Sequence, residues 1–536
     1  MSSPNLRPLR RLMAALLWLP LAYACSSSDS GDMAAPLKPE IATSNHYINL
    51  NIVVSSGSEG TMRVPTADGT GNDGTADKWE DGDEREQGSM RENNVTGITF
   101  MLYPVTLKEG STEYEYNGIN ESQDTELAFV QYYPVTKANQ EDCNYKEGEA
   151  VYTTGIQPLK GLDLTQTYRA IVIANRVMTD IFIANTTTVK TVCDATLDWI
   201  YTGSGMGVNA SNFVMSSEND GDVIKFENPK QNGPTADGET AIIYEPTAIH
   251  IERMAARVDF WMNNAEYVEE SSYFNLEAQG YQYDVYKKET GTEKSDDKFV
   301  LTAVTPFNLY NNSAEEYLLK KLNIGEENYS YLAKETKDNY VVDPLTKDKE
   351  STDETTSYNN RLSELVELDK RLRAANEVPT LKTVTGYYQS TKTLHDEKTQ
   401  WTSLGDGSAE NFILCYPKEN TLNGNSPLYY YATGVAIEGD YYTKNTDGDY
   451  EVEHRVYYGY LRHRGEPMNG ESTYKIKAAT DLSTDLNNTE DVPMNFGVVR
   501  NNIYRISIER ITEKKDLELT IRVKKWDTFT HDIIYM

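Results

Sequence analysis

The residues of this chain that could carry chemistry are few and poorly spaced for it. Six His and four Cys are spread over 536 residues. His454 and His463 lie near one another beside Glu451 and Glu453, but no third ligand stands at metal spacing. They read as part of a surface strand pair rather than a metal or acid–base site. The glycine-rich run YTGSGMGV, residues 201–208, has the spacing of neither a Walker loop nor a dinucleotide fingerprint, and no βαβ pattern surrounds it. It is expected to be a loop. The acidic run from Asp77 to Glu86 sets Asp77, Asp81 and Gly82 at the first, fifth and sixth places of a calcium loop. Trp79 stands at the third place and Gly88 at the twelfth, where a glutamate is required, so the run reads as a solvated linker. Carboxylates are so numerous that some pair always falls close by, and no glycosidase-type acid pair is inferred. With no spaced nucleophile, base or metal set, the sequence points to no enzyme and no cofactor.

Cys25 is the one side chain in a suggestive setting. The first 24 residues join a basic stretch (Arg7, Arg10, Arg11) to an apolar run from Leu12 to Leu21 and small residues ending at Ala24. This is the pattern of an export signal. The run, broken by Pro20, is too short for a transmembrane helix, which needs about 20 residues. The sequence LAYAC followed by SSSDSGD resembles a bacterial lipobox, in which the cysteine thiol receives a diacylglycerol and becomes the new N-terminus. Ala22 stands where such motifs usually carry Leu, and the alternative is an ordinary secretory signal. Each buried acyl CH₂ contributes about 0.8 kcal/mol of membrane affinity, so a multiply acylated Cys25 would anchor stably. Cys143, Cys193 and Cys415 then allow at most one disulfide. Cys143 and Cys193 share the first half and are the favoured pair in an oxidising compartment, although isolated cysteines more often serve as buried small hydrophobes.

Charge excludes another class. The formal net charge is −32, and loss of the signal removes three Arg and no acid, giving −35. Such a surface repels a polyanion, so nucleic acid is not a partner. The 38 Tyr against 12 Phe favour strands with exposed aromatic faces.

The elements that position these residues are strands. After a polar tether, residues 25–45, the segment HYINLNIVV (46–54) puts Ile48, Leu50 and Ile52 on one face with a period of two. About forty residues rich in Gly and Asp follow and read as a long loop, 55–96. GITFMLYPV (97–105) restarts strand character, and TYRAIVIAN (167–175) is apolar at consecutive positions, as in a strand buried on both faces. An Asn/Gly/Asp-rich stretch, 219–238, then suggests a domain boundary near Glu245. In the second half, RLSELVELDKRLRAA (361–375) spaces its leucines as one helical stripe inside a charged insertion at about 287–398. Strands resume in NFILCYP, PLYYYATGVAI, YEVEHRVYYGYLRH, FGVVRNNIYRISIERI and DLELTIRVKKWDTFTHDIIYM. The expected fold is all-β, with two sandwich domains at 46–245 and 246–536.

Three segments together resemble the fimbrillin family of type V (Bacteroidales) pili, most like the major shaft subunit of the short fimbriae. AIHIERMAARVDF (248–260) is similar to the opening strand of the family's second domain, with Glu252, Arg253, Ala256 and Arg257 at matching places. FGVVRNNIYRISIERI (496–511) is similar to the penultimate strand through its V-R-N-N-x-Y core, and LELTIRVKKWDTFTHDI (517–533) to the terminal strand pair with Trp526. The resemblance implies transthyretin-like sandwiches and export as a lipoprotein precursor lodged in the outer membrane. It further implies removal of the first strand by an Arg-specific extracellular protease, and polymerisation with copies of itself and with anchor and tip subunits. On this reading Ile48, Leu50 and Ile52 belong to the removable strand, and Arg63 is the cleavage site, with Arg85 and Arg91 as alternatives. Leu517, Leu519, Ile521, Val523 and Trp526, within 516–536, belong to the strand that fills a neighbour's groove. The alternatives are an anchor or tip subunit of such a pilus, or a monomeric glycan-binding surface lipoprotein.

Overall fold

The computed structural model describes residues 40–54, 85–87, 92–106, 119–120, 124–137, 150–197, 200, 211–218, 223–234, 240–246, 248–262, 264–268, 280–307, 316–325, 328–331, 340–344, 392–393, 411–423, 432–463, 473–480 and 493–527. Among them the architecture is all-β, and the one α-helix spans Val189–Cys193, capped by the Thr188 hydroxyl. The helical stripe expected at 361–375 lies outside the described residues.

The strands that frame the first half are β1 (His46–Val54), β2 (Gly97–Pro104), β3 (Phe129–Pro134), β4 (Ala150–Pro158), β5 (Tyr168–Ala174), β6 (Met215–Ser217), β7 (Thr240–Tyr244) and β8 (Ile249–Arg253). They belong to an eleven-stranded sheet whose path runs from Lys230–Pro234 through β7, β1, β8, β6, β5 and β2 to β3, with β4 also paired to β1. β5 is buried along its whole length, as its consecutive apolar residues require.

The second half supplies β9 (Arg257–Trp261), β10 (Gly280–Tyr286), β11 (Lys294–Phe307), β12 (Asn411–Cys415), β13 (Gly434–Lys444), β14 (Tyr450–Tyr460), β15 (Thr473–Ala478), β16 (Asn502–Glu513) and β17 (Asp516–Asp527). These join a twelve-stranded sheet with the path Arg85–Gln87, β17, β16, β10, β11, β13, β14. β9 pairs with β12 and β16, and β15 pairs with β17.

Each large sheet builds its own apolar core. The first draws in Leu318, Leu319, Tyr331, Tyr416 and Ile503 from the second half, whereas the second is formed by residues from Ala256 onward. The chain crosses between sheets at Met254–Ala256, not near Glu245. The segment 248–260 therefore divides: Ile249–Arg253 completes the first sheet, and Arg257–Trp261 opens the second. β11 lies within the stretch read as an insertion, yet it pairs with β10 and β13 as an integral strand. Its charged first residues face solvent while its second half is buried, which hides its strand character from a charge-based reading.

Candidate functional site

β1 lies inside its sheet rather than at an edge. It runs antiparallel to β4, from Tyr47 opposite Pro158 to Val54 opposite Ala150. On its other side it runs parallel first to β7, with His46 opposite Ile242, and then to β8, with Val54 opposite Ile251. The period of two in its sequence is what this position demands: Ile48, Leu50, Ile52 and Val54 are all fully buried in the first core. A bulge between Asn49 and Asn51 leaves the Leu50 N–H without a ladder partner, and the Thr154 hydroxyl accepts it at 3.0 Å. Across the bulge Gly155 adopts φ 61, a conformation that glycine takes without strain. The entry is fixed too: the Thr43 N–H donates to His46 Nδ1 at 3.1 Å, and Leu164 N–H donates to the Glu40 carbonyl at 2.8 Å.

Loss of this strand would be costly in a defined way. Each buried aliphatic contributes about 1.5–3 kcal/mol, so the four together hold β1 with roughly 6–12 kcal/mol before any hydrogen bond is counted. Its departure would expose an apolar trough with orphaned backbone donors and acceptors on both walls.

The last strand, β17, is paired within the chain. It runs antiparallel to β16 along one side and to β15 on the other, and its end, Lys525–Asp527, runs parallel to Arg85–Gln87. Leu517, Leu519 and Ile521 are fully buried in the second core and Val523 is nearly so. Trp526 pairs through its backbone with Glu86. Of the other residues singled out in the sequence, Cys25, Arg63, Arg91 and Cys143 lie outside the described residues, as do 201–208 and most of the acidic run. Cys193 and Cys415 are buried. His454 Nδ1 sits 3.0 Å from Asp440, and His463 Nδ1 sits 2.6 Å from the Tyr504 hydroxyl, so the two histidines have separate partners. Among the described residues no group of three His, Cys, Asp or Glu could hold a metal ion.

Where the chain crosses between sheets, charged residues of the segments 248–260 and 496–511 form a buried ionic seam, a role that their sequence alone does not reveal. Arg257 grips Asp259 with Nε at 2.9 Å and Nη2 at 2.7 Å, and reaches Glu92 at 3.3 Å. Glu92 also accepts from the Tyr416 hydroxyl. Arg253 donates to the Glu92 carbonyl at 3.1 Å, to Asn501 Oδ1 at 2.9 Å and to the Asn93 side chain. Arg500 holds Glu419 at 2.7 Å, Glu316 at 3.3 Å and the Tyr317 carbonyl at 2.7 Å. Lys320 Nζ lies 2.7 Å from Glu252 Oε2. Burial would lower the Arg500 pKa, but Glu419 and Glu316 outweigh it and keep the guanidinium charged. Burial raises Glu316 well above the ordinary carboxylate range against the pull of Arg500, with Glu419 adding to the rise. Burial likewise pushes Glu252 up to about 7, with Lys320 opposing. The sequence signal for this seam was charge at positions flanked by apolar strand residues, as in IHIERMAARVDF, because a charge is retained there only when paired.

No family model and no curated protein matches the chain. Among solved structures it is similar to the tip fimbrial protein Mfa3 from Porphyromonas gingivalis with C-terminal truncation. That match has 11% identity and a TM-score of 0.34 over 90% of this chain and 99% of that one. It is also similar to a protein from Bacteroides eggerthii, proposed to act in cell adhesion, with 12% identity and a TM-score of 0.32 over 91% and 99%. At TM-scores of this size the strand order described above, and not the likeness, defines the architecture.

Proposed function

We propose that the protein is a structural subunit of a bacterial surface fimbria, exported as a precursor lipidated at Cys25. Cleavage after Arg63 frees β1, and polymerisation fills the vacated trough with the C-terminal strand of another copy. The observation that carries this reading is the placement of β1: its aliphatic face is fully buried, it is hydrogen-bonded on both sides, and in the sequence it is followed by the Gly- and Asp-rich segment that holds Arg63. A strand so placed leaves a template that an extended segment of matching pattern completes.

The last strand has that pattern. Leu517, Leu519, Ile521 and Val523 repeat the alternation of Ile48, Leu50, Ile52 and Val54. Leaving its own sheet costs β17 about what it gains in a neighbour's, so direction comes from the irreversible peptide cleavage. A chain that carries both a removable first strand and a donor strand suits a shaft subunit, since a terminal subunit needs only one of the two. The fimbrial setting makes an outer-membrane precursor and an extracellular filament the expected locations, with anchor and tip subunits and the protease as partners.

The test is brief digestion of the purified protein with an Arg-specific protease, followed by N-terminal sequencing and electron microscopy. Filaments that form only after cleavage at Arg63, and not from a chain truncated before Asp516, support the proposal. A clipped chain that stays monomeric with its first strand bound contradicts it.

A further inference from the structure

Lys320 and Glu252 are held in a setting that goes beyond an ion pair. Their side chains are 13% and 1% exposed, and Nζ stands 2.7 Å from Oε2. That hydrogen bond sets the amine nitrogen directly against the carboxyl group, one carboxyl bond away from the carbon it would attack. The other carboxyl oxygen, Oε1, has no hydrogen-bond partner among the described residues.

Both reactants are anchored on either side. Glu252 sits on β8 opposite Ser216 of β6. Lys320 follows Glu316–Tyr317, which pairs with Thr196–Leu197, and follows Leu318 and Leu319, both fully buried in the first core. After it, the Lys321 ammonium is enclosed by the rings of Tyr317, Tyr329 and Tyr331, with centroids 4.8, 4.5 and 5.0 Å away. The buried Arg500 guanidinium also acts electrostatically on Glu252; it is fixed by Glu419 and the Tyr317 carbonyl, with Nη1 3.5 Å from the Ser216 hydroxyl.

We propose that Lys320 and Glu252 close an intramolecular isopeptide bond, a covalent staple between the last strand of the first sheet and the segment Glu316–Lys321. Desolvation disfavours the separated charges, so the shared proton moves along the hydrogen bond to give neutral amine and neutral acid. Burial, which favours a protonated Glu252 near neutral pH, acts the same way. Nζ attacks the carboxyl carbon and the C–N bond forms. Negative charge gathering on the carboxyl oxygen is stabilised by Arg500. The nitrogen's remaining excess proton passes to the departing hydroxyl, the C–O bond breaks, and one water leaves. No oxidant, cofactor or second protein is needed. The bond would fix the chain beside the crossing between sheets, where tension along a filament would otherwise pull on hydrogen bonds alone.

Peptide mapping of the purified full chain by mass spectrometry tests this. The expected result is a linked pair of peptides containing Glu252 and Lys320, lighter than their sum by one water, and absent from a Lys320→Arg chain. Wild-type protein that yields the two peptides separately and at full mass overturns the proposal, as does a linked species that persists in Lys320→Arg.

Discussion

The first and last strands occupy matching positions in the two sheets and differ in how they are tied to them. β1 has β4 along one edge and β7 followed by β8 along the other; β17 has β16 along one edge and β15 followed by Arg85–Gln87 along the other. Each buries four alternating aliphatic side chains. Connectivity separates them. β17 follows β16 through a tight turn at Lys514–Lys515, whereas every partner of β1 lies far along the chain. A single peptide cut between Val54 and Arg85 therefore leaves β1 joined to the remaining protein by noncovalent contacts alone. In the function proposed above, burial does not by itself make β1 removable; a single cut between it and all of its partners does.

The largest expected effect tests that asymmetry. Leu50→Asp and Leu519→Asp each place a carboxylate in a dry core and are expected to destabilise the uncut chain by about 5 kcal/mol or more in denaturant melts. Under the proposed strand exchange, Leu50→Asp is expected to have no further effect on filament formation once the first strand has been cut away, while Leu519→Asp is expected still to block it. Equal effects of the two changes on assembly would break the distinction.

Next in size is the seam that joins the regions. Arg500→Ala leaves Glu316 and Glu419 buried without their cation and is expected to cost about 3–5 kcal/mol, as is Arg257→Ala for Asp259 and Glu92. Chemical denaturation read by tyrosine fluorescence measures both. A smaller loss, about 1–3 kcal/mol, is expected from Thr154→Val, which strips the Leu50 N–H of its acceptor at the bulge. Hydrogen exchange should then speed up at Leu50 before it does elsewhere in β1.

The most modest effect is on pH. Glu316 titrates well above its ordinary value of 4.5 in the folded chain because it is buried, with Arg500 opposing and Glu419 reinforcing the rise. The folded state thus holds a proton that the unfolded state releases above 4.5. Its contribution to stability is complete at and below that pH and declines as pH rises through the raised value. Glu316→Gln is expected to flatten the decline in melting temperature across that window.

Much of this was legible where a local pattern coincided with a local cause. The alternation in HYINLNIVV, the unbroken apolar run in TYRAIVIAN and the last strand all marked true strands, because burial on one face or two writes itself into side-chain period. The crossing at Met254–Ala256 was not legible. β7 and β8 are parallel partners of β1 supplied from the far end of the first half, and parallel pairing needs a long connection that no neighbouring residue announces. β11 was hidden for the opposite reason, since its exposed half carries the charges of a surface. The seam lay in plain view as Glu252, Arg253, Arg257 and Arg500, but which acid meets which base depends on contacts far apart in sequence.

The most direct measurement of the central claim is a binding assay between the subunit cut at Arg63 and a labelled peptide of sequence 516–525. The expected result is saturable binding by cut protein only, with release of the fragment that carries His46–Val54. Cut protein that keeps this fragment and ignores the peptide would contradict the account.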